Sequence, residues 1–219
     1  MNVSHEHRMV WWTKPNMGEK VIASSLKDHN FHNFVDRLET NPLSKHNFSL
    51  RNEIPENCQN YLLTISVRNP YFQIINYYLD VSVYNWKLKT VSMDNFKGKM
   101  NKWVKEIFSV QKEVLLDTNN LLQGILPYRN LPYTPHFVLK YENMFDDLSK
   151  LPFIDRENLF LNENLMVDNS RFEVNTLTFE NAQLIYKIHK KTFEDFGYDP
   201  FSFTNQELTL KQKVDFIHT

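Results

Sequence analysis

The chain has 219 residues, 42% of them hydrophobic and 14% aromatic, with only 4 glycines and 9 prolines. That apolar content is enough for a sizeable core and excludes a disordered or fibrous chain. A formal net charge of -1 provides no global basic field for nucleic acid or a membrane surface, and the single cysteine, Cys58, excludes a disulfide framework and fits a reducing compartment.

Taken in chain order, the N-terminal MNVSHEHRMVWW lacks a basic segment followed by an apolar one, and no apolar run has the length of a membrane span. A soluble cytoplasmic protein without membrane contact is therefore expected. Met9 to Thr13, MVWWT, reads as a strand, and Lys14 to Gly18, KPNMG, carries turn residues. From Glu19 the recurrence of Val21, Ile22, Ser25 and Leu26 predicts a helix. The stretch DHNFHNF reads as a helix that exposes His29 and His32. Asn41 to Asn60 is polar and loop-like.

Tyr61 to Val67, YLLTISV, is a nearly continuous apolar run, the pattern of a parallel strand buried on both faces. A helix follows from Pro70. Asp94 to Leu122 has a long helical pattern, read as two helices, with Trp103, Ile107, Val110, Val114 and Leu115 inward. Gln123 to Pro135 is a loop rich in proline and tyrosine, Phe137 to Tyr141 a strand, Asn143 to Lys150 a short helix, and Glu180 to Phe196 an amphipathic helix. No internal repeat or low-complexity linker interrupts the chain. Strands alternating with helices predict one α/β domain over residues 1–219, with three layers and a mainly parallel sheet.

The stretch SVRNPYFQIINYY, Ser66 to Tyr78, carries chemistry. Asn69 is a good N-cap and Pro70 suits the first helical position. Asn69, Gln73, Asn76 and Asp80 share one helix face, and Phe72, Ile75 and Leu79 another. Arg68 thus stands at the carboxyl end of a buried strand, just before a helix N-terminus. Open α/β sheets bind ligands there, and helix amides with a guanidinium favour phosphate. Pairing with a local carboxylate, or simple surface exposure, is the competing reading of Arg68. KPNMGEKVIASSL offers a second, weaker anion loop. It holds one glycine, so it is neither a G-x-x-x-x-G-K-[ST] loop nor a dinucleotide fingerprint, and Lys14 and Lys20 are equally readable as solvated.

Two anion loops in this order resemble the nucleotide site of sulfotransferases. The chain is similar to the carbohydrate-sulfotransferase type, which uses 3′-phosphoadenosine 5′-phosphosulfate (PAPS) and releases adenosine 3′,5′-bisphosphate (PAP). The family's 3′-phosphate motif, V-R-[DN]-P-[YF] with a later serine and tyrosine, is matched by Val67-Arg68-Asn69-Pro70-Tyr71, with Asn76 in the serine position and Tyr78 in the tyrosine position. The resemblance implies that Arg68 and Asn76 contact the 3′-phosphate. Gln73 stands where the family often has a second arginine. The 5′ loop, P-[KR]-x-G-[ST]-[STR]-[ST]-[LIV], corresponds to Pro15 to Ile22: Asn16 replaces a basic residue, Glu19 and Val21 replace hydroxyl residues, and Lys20 falls where some members carry arginine. The resemblance assigns Lys14, Asn16, Met17, Gly18, Glu19, Lys20 and Val21 to cofactor binding, with Lys20, and Lys14 behind it, restoring the lost charge. Leu121 to Gly124, His136 to Phe153 and Ile185 to Pro200 resemble further family segments.

The fold implied is the P-loop-NTPase-like sulfotransferase fold. The reaction implied is in-line sulfuryl transfer from PAPS to an acceptor hydroxyl, that of a saccharide in this type, with no metal. In related enzymes the base lies between the two anion loops. His46 is the favoured base, Glu53 the second, and Lys20 the group for sulfate and leaving-group stabilisation. Asn16, Glu19 and Gln73 support an alternative, a degenerate homologue that binds nucleotide or a protein without catalysis. A nucleotide kinase lacks its Walker lysine. His5, Glu6 and His7, or His29 and His32, lack zinc-ligand spacing. Cys58 reads as a packing residue, Trp11 and Trp12 as strand residues on opposite faces, and the loop Tyr128 to Tyr133 as a place for sugar or adenine. Family members of animal cells are mostly Golgi membrane proteins, so the missing anchor suggests a microbial or viral enzyme.

Overall fold

The computed structural model describes residues 2–12, 17, 22, 25–26, 32–33, 54, 56–85, 93–109, 134–159 and 175–218. Contacts group the chain into two compact units. The first comprises Met1–Arg68 and Tyr128–Val167, the second Asn69–Pro127 and Asp168–Thr219.

The first unit is built on a five-stranded sheet: β1 (Asn2–Ser4), β2 (Met9–Trp12), β3 (His32–Asn33), β4 (Leu62–Val67) and β5 (Phe137–Lys140), in the order β3-β1-β2-β4-β5. The centre is parallel as expected, with β4 between β2 and β5, while β1 and β3 extend one side antiparallel. β1 joins β2 in a hairpin whose turn ends on Arg8 in the left-handed region, φ 48. That hairpin was illegible because β1 is three residues long and its turn, His5 to Arg8, holds neither glycine nor asparagine. His32 lies in β3 and pairs with Val3, so the expectation of a helix over DHNFHNF is corrected at His32–Asn33. Period counting has little hold on so short a segment, and pairing with β1 decides it. At the start of the helix expected from Glu19, the Leu26 N–H donates to the Ile22 carbonyl at 2.9 Å, a helical i to i+4 bond.

β4 is buried on both faces, which is why its sequence is an apolar run rather than an alternation. Leu62, with Met9, Trp11, Phe137 and Leu139, shares one face, where Ile22, Leu26, Met144, Leu148 and Leu151 complete a core. Leu63, Ile65 and Val67 fill the other face and are equally buried. Trp11 and Trp12 do point to opposite faces. Trp11 is buried and its Nε1–H donates to Ser66 Oγ at 2.8 Å, while Trp12 is half-buried. At the amino end of the β4–β5 ladder the Leu63 N–H donates to His136 Nδ1 at 3.0 Å, and the His136 N–H donates to the Leu63 carbonyl at 2.8 Å.

The second unit contains α1 (Pro70–Asn85), α2 (Met93–Ser109), α4 (Phe179–Phe196) and α5 (Leu210–His218); α3 (Met144–Leu148) belongs to the first. Its core joins Tyr71, Ile74 and Ile75 of α1 to Phe96, Met100, Val104 and Phe108 of α2, Ile185, Tyr186 and Phe193 of α4, and Phe216 of α5. The inward seam of α2 runs at four-residue intervals from Phe96 to Phe108, and Trp103 and Ile107 pack half-buried beside it. The sequence pattern picks out that flank; Val110, Val114 and Leu115 lie outside the described residues. α5 was missed because Leu210, Val214 and Ile217 are exposed and only Phe216 is buried.

α4 has both ends marked. Thr178 Oγ1 accepts from the Asn181 N–H at 3.3 Å, and the helix stops on Gly197 at φ 66, with the Tyr198 N–H returning to the Phe193 carbonyl at 3.0 Å. No helix among the described residues is long and apolar enough to cross a membrane. Because a Cβ is strained at this φ, Gly197→Ala is expected to lower the unfolding free energy by about 1 kcal/mol and Gly197→Asn by less, read from urea midpoints.

Candidate functional site

Arg68 and Tyr141 are one residue past the ends of two parallel strands in register. Val67 pairs with Lys140, and the ladder before them runs Ser66 with Leu139, Ile65 with Val138 and Thr64 with Phe137. The next residues on the two strands are therefore Arg68 and Tyr141. By alternation they continue the face that carries Ser66 and Leu139. The Arg68 guanidinium carbon lies 4.0 Å from the centre of the Tyr141 ring. Arg68 is only 3% exposed, which rules out the surface reading of this residue.

The turn that holds Tyr141 is fixed from below. Tyr141–Asn143 forms a single 3-10 turn leading into α3. The Asp147 carboxylate, itself buried, accepts from the Lys140 backbone N–H at 2.8 Å and from Asn143 Nδ2 at 3.1 Å, and it pairs with Lys150. One carboxylate thus ties the last residue of β5 to the turn and to the helix. Sequence reasoning saw the segment but assigned neither Tyr141 nor Asp147 a part. The usable signal was the aspartate seven residues after the strand end, within reach of a chain that turns back on itself.

The helix side of the motif behaves as its residue types dictate. Asn69 Oδ1 accepts from the Tyr71 N–H at 3.0 Å, the N-cap bond, and the Asn69 carbonyl accepts from the Gln73 N–H at 2.9 Å. Asn69 Nδ2 donates to Ser202 Oγ at 2.8 Å. Tyr71 is buried, stands 5.0 Å ring to ring from Phe193, and donates its hydroxyl to the Pro200 carbonyl at 2.7 Å. Burial, with Tyr186 and Asp199 nearby, pushes its phenol far above the usual range and keeps the donor proton in place. The start of α1 and the segment from Phe193 to Ser202 are therefore joined by hydrogen bonds and ring packing.

Gln73 and Asn76 do share a face, but that face is buried: Asn76 is 5% exposed. Asn76 Nδ2 donates to the Phe72 carbonyl at 2.9 Å, one turn back. This bond takes one of the two hydrogens of the amide. Met17 is buried. The remaining expected residues, Lys14, Asn16, Gly18, Glu19, Lys20, Val21 and His46, lie outside the described residues, as do Glu53, His29 and the loop Tyr128 to Tyr133. Trp12, the last residue of β2, pairs with Ile65, so the segment that begins after it departs from the same sheet edge as Arg68.

Other candidates resolve into packing. Cys58 is buried, and burial raises its thiol pKa, which disfavours a nucleophilic thiolate. His5 Nδ1 shares a hydrogen bond of 2.9 Å with the Tyr61 hydroxyl, and the His7 ring stacks on Phe153 at 3.9 Å. Among the described residues no three histidine, cysteine or carboxylate side chains form a group that could hold a metal. A cleft of about 480 Å³ in the second unit, floored by Leu177, Phe179 and Phe203 and edged by Glu180 and Asp215, contains none of the expected nucleotide-binding residues. No protein-family model, no curated protein and no solved structure matches the chain.

Asn69 caps α1 and also holds Ser202. Its replacement in Asn69→Ala is expected to cost about 1–2 kcal/mol in urea denaturation. A loss under about 0.5 kcal/mol, the low end for such caps, would show that the helix start is held by other groups.

Proposed function

We propose that the chain is a PAPS-dependent sulfotransferase of the carbohydrate type, built on the three-layer, P-loop-NTPase-like sulfotransferase fold. The observation that carries this reading is the placement of Arg68. It is buried at the carboxyl end of a parallel strand and followed directly by an N-capped helix. Guanidinium and helix amides at such a strand end favour a phosphate, and the residues around them are Val67-Arg68-Asn69-Pro70-Tyr71. The common edge at which β2 and β4 end supports a two-loop nucleotide site, because the segment after Trp12 and the segment after Val67 start there.

In this reading Arg68 and the second amide hydrogen of Asn76 bind the 3′-phosphate. Lys14, Asn16, Met17, Gly18, Glu19, Lys20 and Val21 form the 5′-phosphosulfate loop. His46 takes the proton of the acceptor hydroxyl. The acceptor oxygen forms a bond to sulfur as the bond from sulfur to the bridging phosphate oxygen breaks, and PAP leaves with the charge that Lys20 stabilises. A sulfuryl group passes to the acceptor with no redox change. Rate comes from alignment and fixed positive charge, as in phosphoryl transfer.

PAP at about a hundred times its Kd is expected to stabilise the protein by about 2.7 kcal/mol, visible as a raised Tm. Arg68→Ala is expected to abolish the shift, and Arg68→Lys to keep part of it, since lysine retains the charge but not the planar fork. No shift for the wild-type protein at millimolar PAP overturns the proposal. Sulfate transfer from labelled PAPS to a mixed glycan panel then separates an enzyme from a module that only binds nucleotide. His46→Ala is expected to keep PAP binding and lose turnover.

A further inference from the structure

Resting on that nucleotide reading, we infer that Tyr141 is the positioning residue of the anion site: its ring face sets the plane of the Arg68 guanidinium and so the direction in which its N–H groups meet the 3′-phosphate. Three observations carry this. The guanidinium carbon is 4.0 Å from the ring centre, well inside the range of a cation–π contact. The contact is imposed by the fold, because Val67 and Lys140 are ladder partners and Arg68 and Tyr141 follow them on the same face. The turn beneath Tyr141 is held by the buried Asp147 carboxylate, so the ring has a fixed base to act from.

A ring beneath a guanidinium acts on its plane. All five N–H groups of arginine lie in the guanidinium plane, and a stacked ring uses the face alone. The contact therefore orients the fork without consuming a donor. Arg68 is long and has many rotamers. Buried beside an aromatic face it keeps few of them, so the ordering cost of anion binding is met in the folded protein rather than on binding.

The test measures the Kd of PAP and of adenosine 5′-monophosphate, which lacks the 3′-phosphate, for the wild-type chain, Tyr141→Phe and Tyr141→Leu. Tyr141→Phe keeps the ring and is expected to bind PAP within about threefold of wild type. Tyr141→Leu is expected to weaken PAP by about tenfold and to leave the monophosphate unchanged, so the preference for the 3′-phosphate falls by the same factor. A loss that strikes both nucleotides equally marks a merely structural role and overturns the inference, as does PAP binding by Tyr141→Leu at wild-type strength. If Tyr141→Leu does not fold, Tyr141→Met, similar in length and without a π face, takes its place with the same expected outcomes. Failure of the wild-type chain to bind PAP is a different result, and it removes the nucleotide reading together with this one.

Discussion

The register of β4 against its two parallel neighbours is the constraint from which the candidate site follows. Parallel strands end at the same edge, so residues far apart in sequence leave the sheet side by side. Trp12 is at the end of β2, Val67 at the end of β4 and Lys140 at the end of β5, and the pairing fixes which residue meets which. A slip of one residue between β4 and β5 would send Tyr141 to the opposite face from Arg68. The register is protected by burial. β4 has apolar residues on both faces, so any slip that moves Thr64 and Ser66 to the other side displaces Leu63, Ile65 and Val67 as well. The Trp11 indole bond to Ser66 and the paired bonds between Leu63 and His136 fix it further.

How much of this was legible follows from the range of each interaction. β4 was readable because burial on both faces writes itself as a continuous apolar run. α1 was readable because its cap, Asn69, and its first residue, Pro70, are local signals and the structure uses both. α4 was readable from its amphipathic pattern over Glu180 to Phe196, and the structure adds its caps, Thr178 before and Gly197 after. The antiparallel side of the sheet was not. β1 and β3 have three and two residues, and they are strands through pairing, Asn2, Val3 and Ser4 with Trp11, Val10 and Met9, and Asn2 and Val3 with Asn33 and His32. Such segments carry no period of their own. The buried polar stripe of α1 was half legible: the sequence places Gln73 and Asn76 on one face, but whether that face meets water or protein is decided by partners elsewhere in the chain.

For the site, the sequence singles out Arg68 and is silent on Tyr141, 73 positions later. The contact between them is a product of strand register, and register between parallel strands depends on a crossover whose length no local pattern fixes. Asp147 is a similar case. Its residue type suggests a solvated helix face, and only the return of the chain after β5 brings it beneath the Lys140 N–H. Residues marked by local chemistry are legible in the sequence, and residues that meet only through topology are not.

Arg68 and Asn76 also differ in what the proposed binding would ask of them. Arg68 is buried, and a cation removed from water carries a desolvation penalty, toward which the Tyr141 ring face contributes. An anion at that point supplies attraction in a medium of low dielectric, where it counts for more than at the surface. Asn76 has no charge to offset, and its amide is already held by the Phe72 carbonyl. In the proposed site Arg68 would therefore supply most of the affinity for the 3′-phosphate, and Asn76 would act on the direction of approach through its remaining hydrogen. The i−4 bond folds the Asn76 side chain back along the helix, and an amide so held has a fixed orientation that a free asparagine lacks.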